Sequence, residues 1–295
     1  HATSIQRRAG RCVKQVGAVP VFLLTDELVF PDPREAEEDG LLAIGGDLRP
    51  ERLLLAYAHG IFPWYGEDQP ILWWSPAPRA VLAPAEIHLP RSLERAIRRR
   101  PYRVTFDRAF EAVIAACATT PRPGQESTWI TPAIVEAFAQ LHRAGLAHSV
   151  EAWDGPRLVG GLYGLALGGV FCGESMFAVA DDASKIAFAA LAEQLRRWDF
   201  ALIDCQVQSE HLRRFGATPI PREAFLARLT EGVARPWRVG TWSLDPDLAG
   251  RPLDESTDAT AGARSPDGDR DMSEQSGESA AGDGARAPGD ARTQA

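Results

Sequence analysis

Two stretches decide the fold: GGVFCGESMF at 168–177 and ALIDCQV at 201–207. Both are rich in apolar and β-favouring residues, and both predict buried strands. Each also carries polar groups inside its apolar run, Glu174 and Ser175 in the first and Asp204 and Gln206 in the second. An ionised carboxylate in a buried strand costs several kcal/mol unless it is paired or hydrogen-bonded. Two of them in neighbouring core segments point to a polar site cut into a dry fold.

Strand alternation puts Leu202, Asp204 and Gln206 on one face and Ile203, Cys205 and Val207 on the other. Asp204 and Gln206 then lie about 7 Å apart along the strand. An acid beside an amide suits a reaction in which an amine loses a proton: the amide orients a reacting group and the carboxylate attracts or accepts the proton. A buried hydrogen-bond network that only fixes the sheet accounts for the same pair. Glu174 follows Gly173, where a ligand or another backbone can approach closely. A carboxylate there either binds a cationic substrate group or faces solvent from an edge strand.

Outward from these stretches the pattern is mixed. Arg157–Leu165 and Val170–Phe177 read as a hairpin joined at Gly168-Gly169, preceded by a strand Ala147–Trp153 with a turn at Asp154-Gly155. A helix follows from about Asp182 to Arg197, then the strand Phe200–Val207, a short helix capped by Ser209 and a last helix Arg222–Leu229. Upstream, Pro90–Arg99 predicts an amphipathic helix with Leu93 and Ile97 inward and arginines outward. Asp107 is the expected N-cap of a helix carrying Phe110, Val113, Ile114 and Cys117, and Thr131 caps another that Gly145 stops. The loop between them holds Pro121, Pro123 and Gly124. Strands and helices in this order give an α+β class.

Residues 28–82 are rich in Pro, Gly and Trp, with one legible helix at Pro50–Ala58. Around it Phe62, Trp64, Tyr65, Trp73 and Trp74 form either a small aromatic core or a platform for a base, a ribose or a peptide. The expected organisation is an N-terminal extension at 1–27, a small domain at 28–89, a larger domain at 90–240 and a disordered acidic tail at 241–295. The whole chain of 295 residues carries a net charge of −8, but the tail alone holds twelve Asp/Glu against five Arg. The rest is therefore close to neutral. Within it Arg91, Arg95, Arg98, Arg99 and Arg100 crowd ten residues, a run that can meet an acidic polymer.

Several classes are disfavoured. Cys12, Cys117, Cys172 and Cys205 have no zinc-ligand spacing; three of them lie in apolar surroundings and read as core residues, in a reducing, cytoplasmic compartment. No apolar run has membrane-spanning length, and no signal-peptide h-region stands in the first twenty residues. His59, His88, His142, His148 and His211 form no nucleophile–base arrangement and are expected at helix ends or on the surface. Ser149 and Ser175 lack a nucleophile elbow. Where a CoA-dependent acetyltransferase carries a glycine-rich pyrophosphate turn, this chain reads VADDASK at 179–185, with two Asp and no Gly. Walker and dinucleotide fingerprints are absent as well.

Ten blocks, in order, resemble the bacterial leucyl/phenylalanyl-tRNA–protein transferases. They are FPDP (30–33), GLLAIGGDL (40–48), GIFPWY (60–65), ILWWSPAPRAVL (71–82), STWIT (127–131), AHSVEAW (147–153), LVGGLYG (158–164), FCGESMF (171–177), ASKIA (183–187) and LIDCQ (202–206). The resemblance implies a small N-terminal domain and an acetyltransferase-superfamily-like (GNAT-like) C-terminal domain. It also implies transfer of Leu or Phe, less readily Met, from aminoacyl-tRNA to the α-amine of proteins that begin with Arg or Lys, which marks them for degradation. Neither metal nor cofactor is implied, nor any membrane. The family's catalytic positions fall on Asp204, Gln206 and Glu174. Its aminoacyl side-chain pocket falls on Trp129, Phe171, Gly173, Met176 and Ile203. Contacts to the tRNA and its terminal adenosine fall on Trp64, Trp74, Arg91, Arg95, Arg98 and Arg99. A CoA-dependent acetyltransferase, a tRNA-dependent cell-wall ligase and a non-catalytic binding protein are the rival readings: the first lacks its phosphate turn, the second shares the chemistry but usually needs a longer, duplicated architecture, and the third leaves the Asp204/Gln206 pair unexplained.

Overall fold

The computed structural model describes residues 21–120 and 128–250. In chain order it comprises β1 (Phe22–Leu24), β2 (Leu41–Gly45), α1 (Pro50–Ala58), β3 (Phe62–Pro63), β4 (Leu72–Trp74), β5 (Arg79–Leu82), α2 (Arg91–Arg98), β6 (Arg103–Phe106), α3 (Phe110–Thr119) and α4 (Pro132–Arg143). There follow β7 (Ala147–Asp154), β8 (Arg157–Leu167), β9 (Val170–Ala178), α5 (Ala183–Arg197), β10 (Leu202–Gln206), α6 (Glu210–Arg214), β11 (Thr218–Ile220) and α7 (Arg222–Val233). The strands make a small sheet of order β1-β2-β4-β3 and a large one of order β11-β5-β10-β9-β8-β7-β6. This is a mixed α+β architecture. No helix among the described residues is long and apolar enough to cross a membrane.

Local chemistry explains most boundaries. Proline opens α1 and α4, where a missing N–H is harmless, and the Thr131 side chain accepts from the Ile134 N–H. Gly145 stops α4 with φ +73, and a Cβ there would collide with the Gly240 backbone, which crosses directly over it. β8 and β9 form the expected hairpin, with Gly168 at φ +57 in its turn. Every neighbouring pair in the large sheet is antiparallel except β9–β10, which is parallel.

Two cores lie on opposite faces of that sheet. One gathers Phe110, Phe138, Leu165, Cys172, Leu202 and Phe225 beneath α1, α3, α4 and α7, and it continues into the small sheet through Phe62 and Trp73. The other packs Leu162, Phe171, Phe188 and Ile203 beneath α5 and α2. Cys117, Cys172 and Cys205 are buried, as expected; Cys12 lies outside the described residues.

Three expectations need correction. Asp107 does not cap α3, which begins at Phe110 after Ala109. Asp107 sits instead at φ +54, and its carboxylate accepts from His148 Nδ1 (2.8 Å), the Ser149 N–H (2.9 Å) and the Trp242 N–H (2.7 Å). His148 is accordingly buried, not a surface residue; burial lowers its pKa, against the Asp107 hydrogen bond that raises it. The third concerns the acidic tail. Its first ten residues, 241–250, pack onto the sheet: Trp242 is buried and stacks on His148 at 3.6 Å, and Arg197 forks to Asp245 and Asp247. One tryptophan anchors what the surrounding acids made look unfoldable. The remainder of that tail, 251–295, and residues 1–20 and 121–127 lie outside the described residues. Two further strands fall outside the expected divisions: Phe22–Leu24 pairs with β2, and Arg79–Leu82 belongs to the large sheet.

Candidate active site

The site forms where the parallel pair comes apart. β9 and β10 pair over Val170–Cys172 and Leu202–Asp204, and then each strand bulges. The β8–β9 register shifts around Glu174, and the β5–β10 register shifts around Cys205. A β-bulge leaves one residue unpaired and bends the strand that carries it. A cavity of about 710 Å³ opens beyond these bulges, lined by Gly173–Met176 from one strand and Asp204–Gln206 from the other.

Asp204 is 1% exposed, so its charge must be met inside the protein. Arg79 meets it with two parallel bonds, Nε to Oδ1 and Nη2 to Oδ2, both 2.8 Å. The Gln206 N–H donates to the same Oδ1 at 2.9 Å. Arg79 is equally buried, donates from Nη1 to the Gly60 carbonyl at 3.2 Å, and lies between the rings of Phe62 and Phe225. Burial alone lowers the Arg79 pKa, but the Asp204 charge and hydrogen bonds outweigh it and the net shift is upward.

Gln206 is not simply the next residue on the Asp204 face. The bulge intervenes, and Gln206 takes φ +59, an uncommon conformation for a side chain of its size. Its Nε2 donates to Glu174 Oε1 at 2.9 Å. The two chemistry-bearing stretches of the sequence therefore meet through a side-chain bond. Burial pushes the Glu174 carboxyl up to about 8; the nearby Tyr57 hydroxyl opposes that shift, and the Asp204 charge adds to it. Glu174 Oε2 and the Tyr57 hydroxyl are both buried, and neither has a partner at hydrogen-bonding distance.

The cavity wall is apolar: Trp129, Leu162, Phe171, Met176, Phe188 and Ile203 line it, with Gly173 leaving an opening. The expected pocket residues Trp129, Phe171, Gly173, Met176 and Ile203 are thus gathered around one space. Trp64 stands at its rim, 42% exposed. Trp74 packs edge-on against Trp64 and donates its indole N–H to the Trp64 carbonyl, behind the lining. Arg91, Arg95, Arg98 and Arg99 are exposed on and just after α2, which packs beside α5, and none of them lines the cavity. Cys205 also lines it, but burial and the Asp204 charge raise its thiol pKa, so it is no thiolate nucleophile near neutral pH.

Sequence reasoning passed over Arg79, Tyr57, Leu162 and Phe188. Arg79 had a readable signal, a lone charge opening the apolar strand RAVL. Tyr57 sits on the buried face of α1 and looked like ordinary core.

The chain matches the model of the "Leucyl/phenylalanyl-tRNA protein transferase" family over residues 81–230, and that family's N-terminal-domain model over residues 46–77. A leucyl/phenylalanyl-tRNA–protein transferase of Anaeromyxobacter sp. (strain Fw109-5) is 62% identical over 76% of this chain and 96% of its own length. Those of Myxococcus xanthus (strain DK1622) and Nitratidesulfovibrio vulgaris (strain DP4) are each 55% identical, over 76% and 77% of this chain and 97% and 98% of theirs. Among solved structures, L-PGS from Bacillus licheniformis aligns over 57% of this chain and 53% of its own at 11% identity, with a TM-score of 0.32, too low to relate the folds.

Proposed function

We propose, because this chain belongs to the leucyl/phenylalanyl-tRNA–protein transferase family, that the cavity between β9 and β10 is where Leu or Phe, less readily Met, passes from its tRNA to the α-amine of a protein beginning with Arg or Lys. One observation carries this reading. A largely apolar wall ends on a line of polar groups, half-buried Glu174 and Gln206 and buried Asp204. In the same reading the large sheet is an acyltransferase of the acetyltransferase-superfamily type, supported by its single parallel pair splitting at two bulges.

The aminoacyl ester is already activated, so the protein's task is placement and proton handling. The acceptor nitrogen attacks the ester carbonyl, the new C–N bond forms, and the C–O bond to the ribose breaks. The Gln206 side-chain carbonyl is free to hold the amine while its NH₂ is engaged with Glu174. Glu174, pushed up to about 8, is matched to an α-amine, whose usual pKa is about 7.7–8.0. It takes the amine's proton and returns it to the departing ribose oxygen. Asp204, held by both arms of Arg79, orients Gln206 and takes no proton itself. The wall rejects polar side chains by desolvation and discriminates among apolar ones by about 1–3 kcal/mol per methylene.

Trp64 at the rim, backed by Trp74, is placed to stack on the terminal adenosine, and the α2 arginines Arg91, Arg95, Arg98 and Arg99 to meet acceptor-stem phosphates. Substrates of this kind place the reaction in the cytoplasm. Charged Leu-tRNA mixed with peptides beginning Arg, Lys or Ala tests the reading. Labelling of the Arg and Lys peptides alone is expected; labelling of neither overturns it.

A further inference from the structure

A buried ion pair in itself adds little net stability, because desolvating both charges offsets most of their attraction. The Arg79–Asp204 pair is more elaborate than stability requires. Its guanidinium joins four parts of the chain: β10 through Asp204, the turn after α1 through the Gly60 carbonyl, and, through cation–π contacts, the cavity-lining Phe62 and Phe225 of α7. Asp204 in turn accepts the Gln206 N–H across the bulge, where Gln206 is held at φ +59. A conformation of that kind persists only when its surroundings over-determine it. Gln206 then reaches Glu174 on the opposite strand.

We propose that Arg79 is a positioning residue of the transfer reaction. Acting through Asp204, it fixes the bulge that turns Gln206 toward Glu174, and it ties the Phe62 segment at the cavity mouth to the strand that carries the polar groups. The orientation is specific to a guanidinium. Its planar fork matches a carboxylate with two bonds and keeps a third nitrogen for Gly60, while an ammonium is a point charge that cannot set the carboxylate's plane. Arg79 itself touches neither substrate, being 1% exposed behind Asp204.

The inference rests on the transferase reading, and its test separates the two. Wild-type protein is first assayed for Leu transfer to an Arg-initiated peptide; failure there overturns the transferase reading and leaves Arg79 no reaction to position. With wild type active, Arg79→Lys is compared in single turnover, whose rate constant does not depend on the fraction of protein folded. A roughly 10–100-fold slower rate constant is expected, with KM for Leu-tRNA and for the peptide little changed. A rate constant equal to wild type overturns the proposal. Arg79→Met leaves an unpaired buried carboxylate and can fail to fold, so the second arm compares Asp204→Asn with the double variant Arg79→Met/Asp204→Asn, in which neither charge remains. If Arg79 acts through Asp204, the double variant is no slower than Asp204→Asn alone. A further loss of similar size in the double variant shows Arg79 acting independently and overturns the inference.

Discussion

At the scale of the residue, Glu174 is the most consequential group in the site. Its carboxyl ordinarily titrates near 4.5 and is pushed up to about 8, chiefly by burial. Between those values the folded protein keeps a proton that the unfolded chain releases, so the unfolded state binds fewer protons and stability falls as pH rises. The contribution is fully present below 4.5 and is lost as pH passes about 8. Glu174→Gln, neutral at every pH, escapes that loss. Its unfolding midpoint is expected to match wild type at acid pH and to exceed it by a growing margin up to about pH 8. The margin reaches a few kcal/mol, because each tenfold change in proton affinity is worth roughly 1.4 kcal/mol. Parallel stability curves would show that Glu174 titrates normally. The same carboxylate, acting as proton acceptor, predicts a wild-type transfer rate that climbs with pH through about 8; a rate independent of pH across that range removes Glu174 from that role.

At the scale of the element, helix α2 has one packed face and one exposed, arginine-rich face. Leu93 and Ala96 are buried against the core, while Arg91, Arg95 and Arg98 point outward and Arg99 follows at the C-cap. Among the described residues Arg98 pairs with Glu94 at 3.8 Å, an exposed pair worth little. Removing Arg98 and Arg99 together should leave the fold intact and weaken Leu-tRNA binding, with the salt dependence of log K shallower by about 0.7–0.9 for each phosphate no longer neutralised. An unaltered slope in filter binding would take this helix off the tRNA surface. Helices of this kind were legible because their signals are local: Pro50 opens α1, Thr131 caps α4, and Gly60 and Gly145 stop them. The strands β5, β6 and β11 were not, since three or four residues carry too little periodicity. Asp204 and Gln206 were legible as polar residues in an apolar strand, yet their relation was misjudged. A bulge stands between them, and Asp204 at its edge is held by Arg79, 125 residues away in the chain, a pairing that no local pattern reports.

At the scale of the whole molecule, the segment 238–250 runs over the face of the large sheet opposite α3 and α4. The Gly240 N–H donates to the Gly145 carbonyl at the start of this run, and the Val104 N–H donates to the Ala249 carbonyl near its end. Between them Trp242 packs with Phe106, Phe171, Trp198 and Phe200. Phe171 also lines the cavity, so the strap backs one wall of the site. Trp242→Ala is expected to destabilise by about 3–5 kcal/mol, read from a denaturant midpoint. A change below about 1 kcal/mol would mean that the strap contributes no packing. The cavity has a further property that follows from how β9 and β10 diverge. Its wall comes from β8, β9, β10, α5 and Trp129, while the polar groups sit on β9 (Glu174) and β10 (Asp204 and Gln206), with Arg79 on β5. What the pocket admits is therefore only in part separate from how the proton moves: Leu162 on β8 and Phe188 on α5 stand on elements that carry none of the polar groups. Exchanging Leu162 or Phe188 for larger or smaller residues can retune the choice of amino acid while the reacting geometry stays in place, an arrangement that lets specificity drift without rebuilding the chemistry.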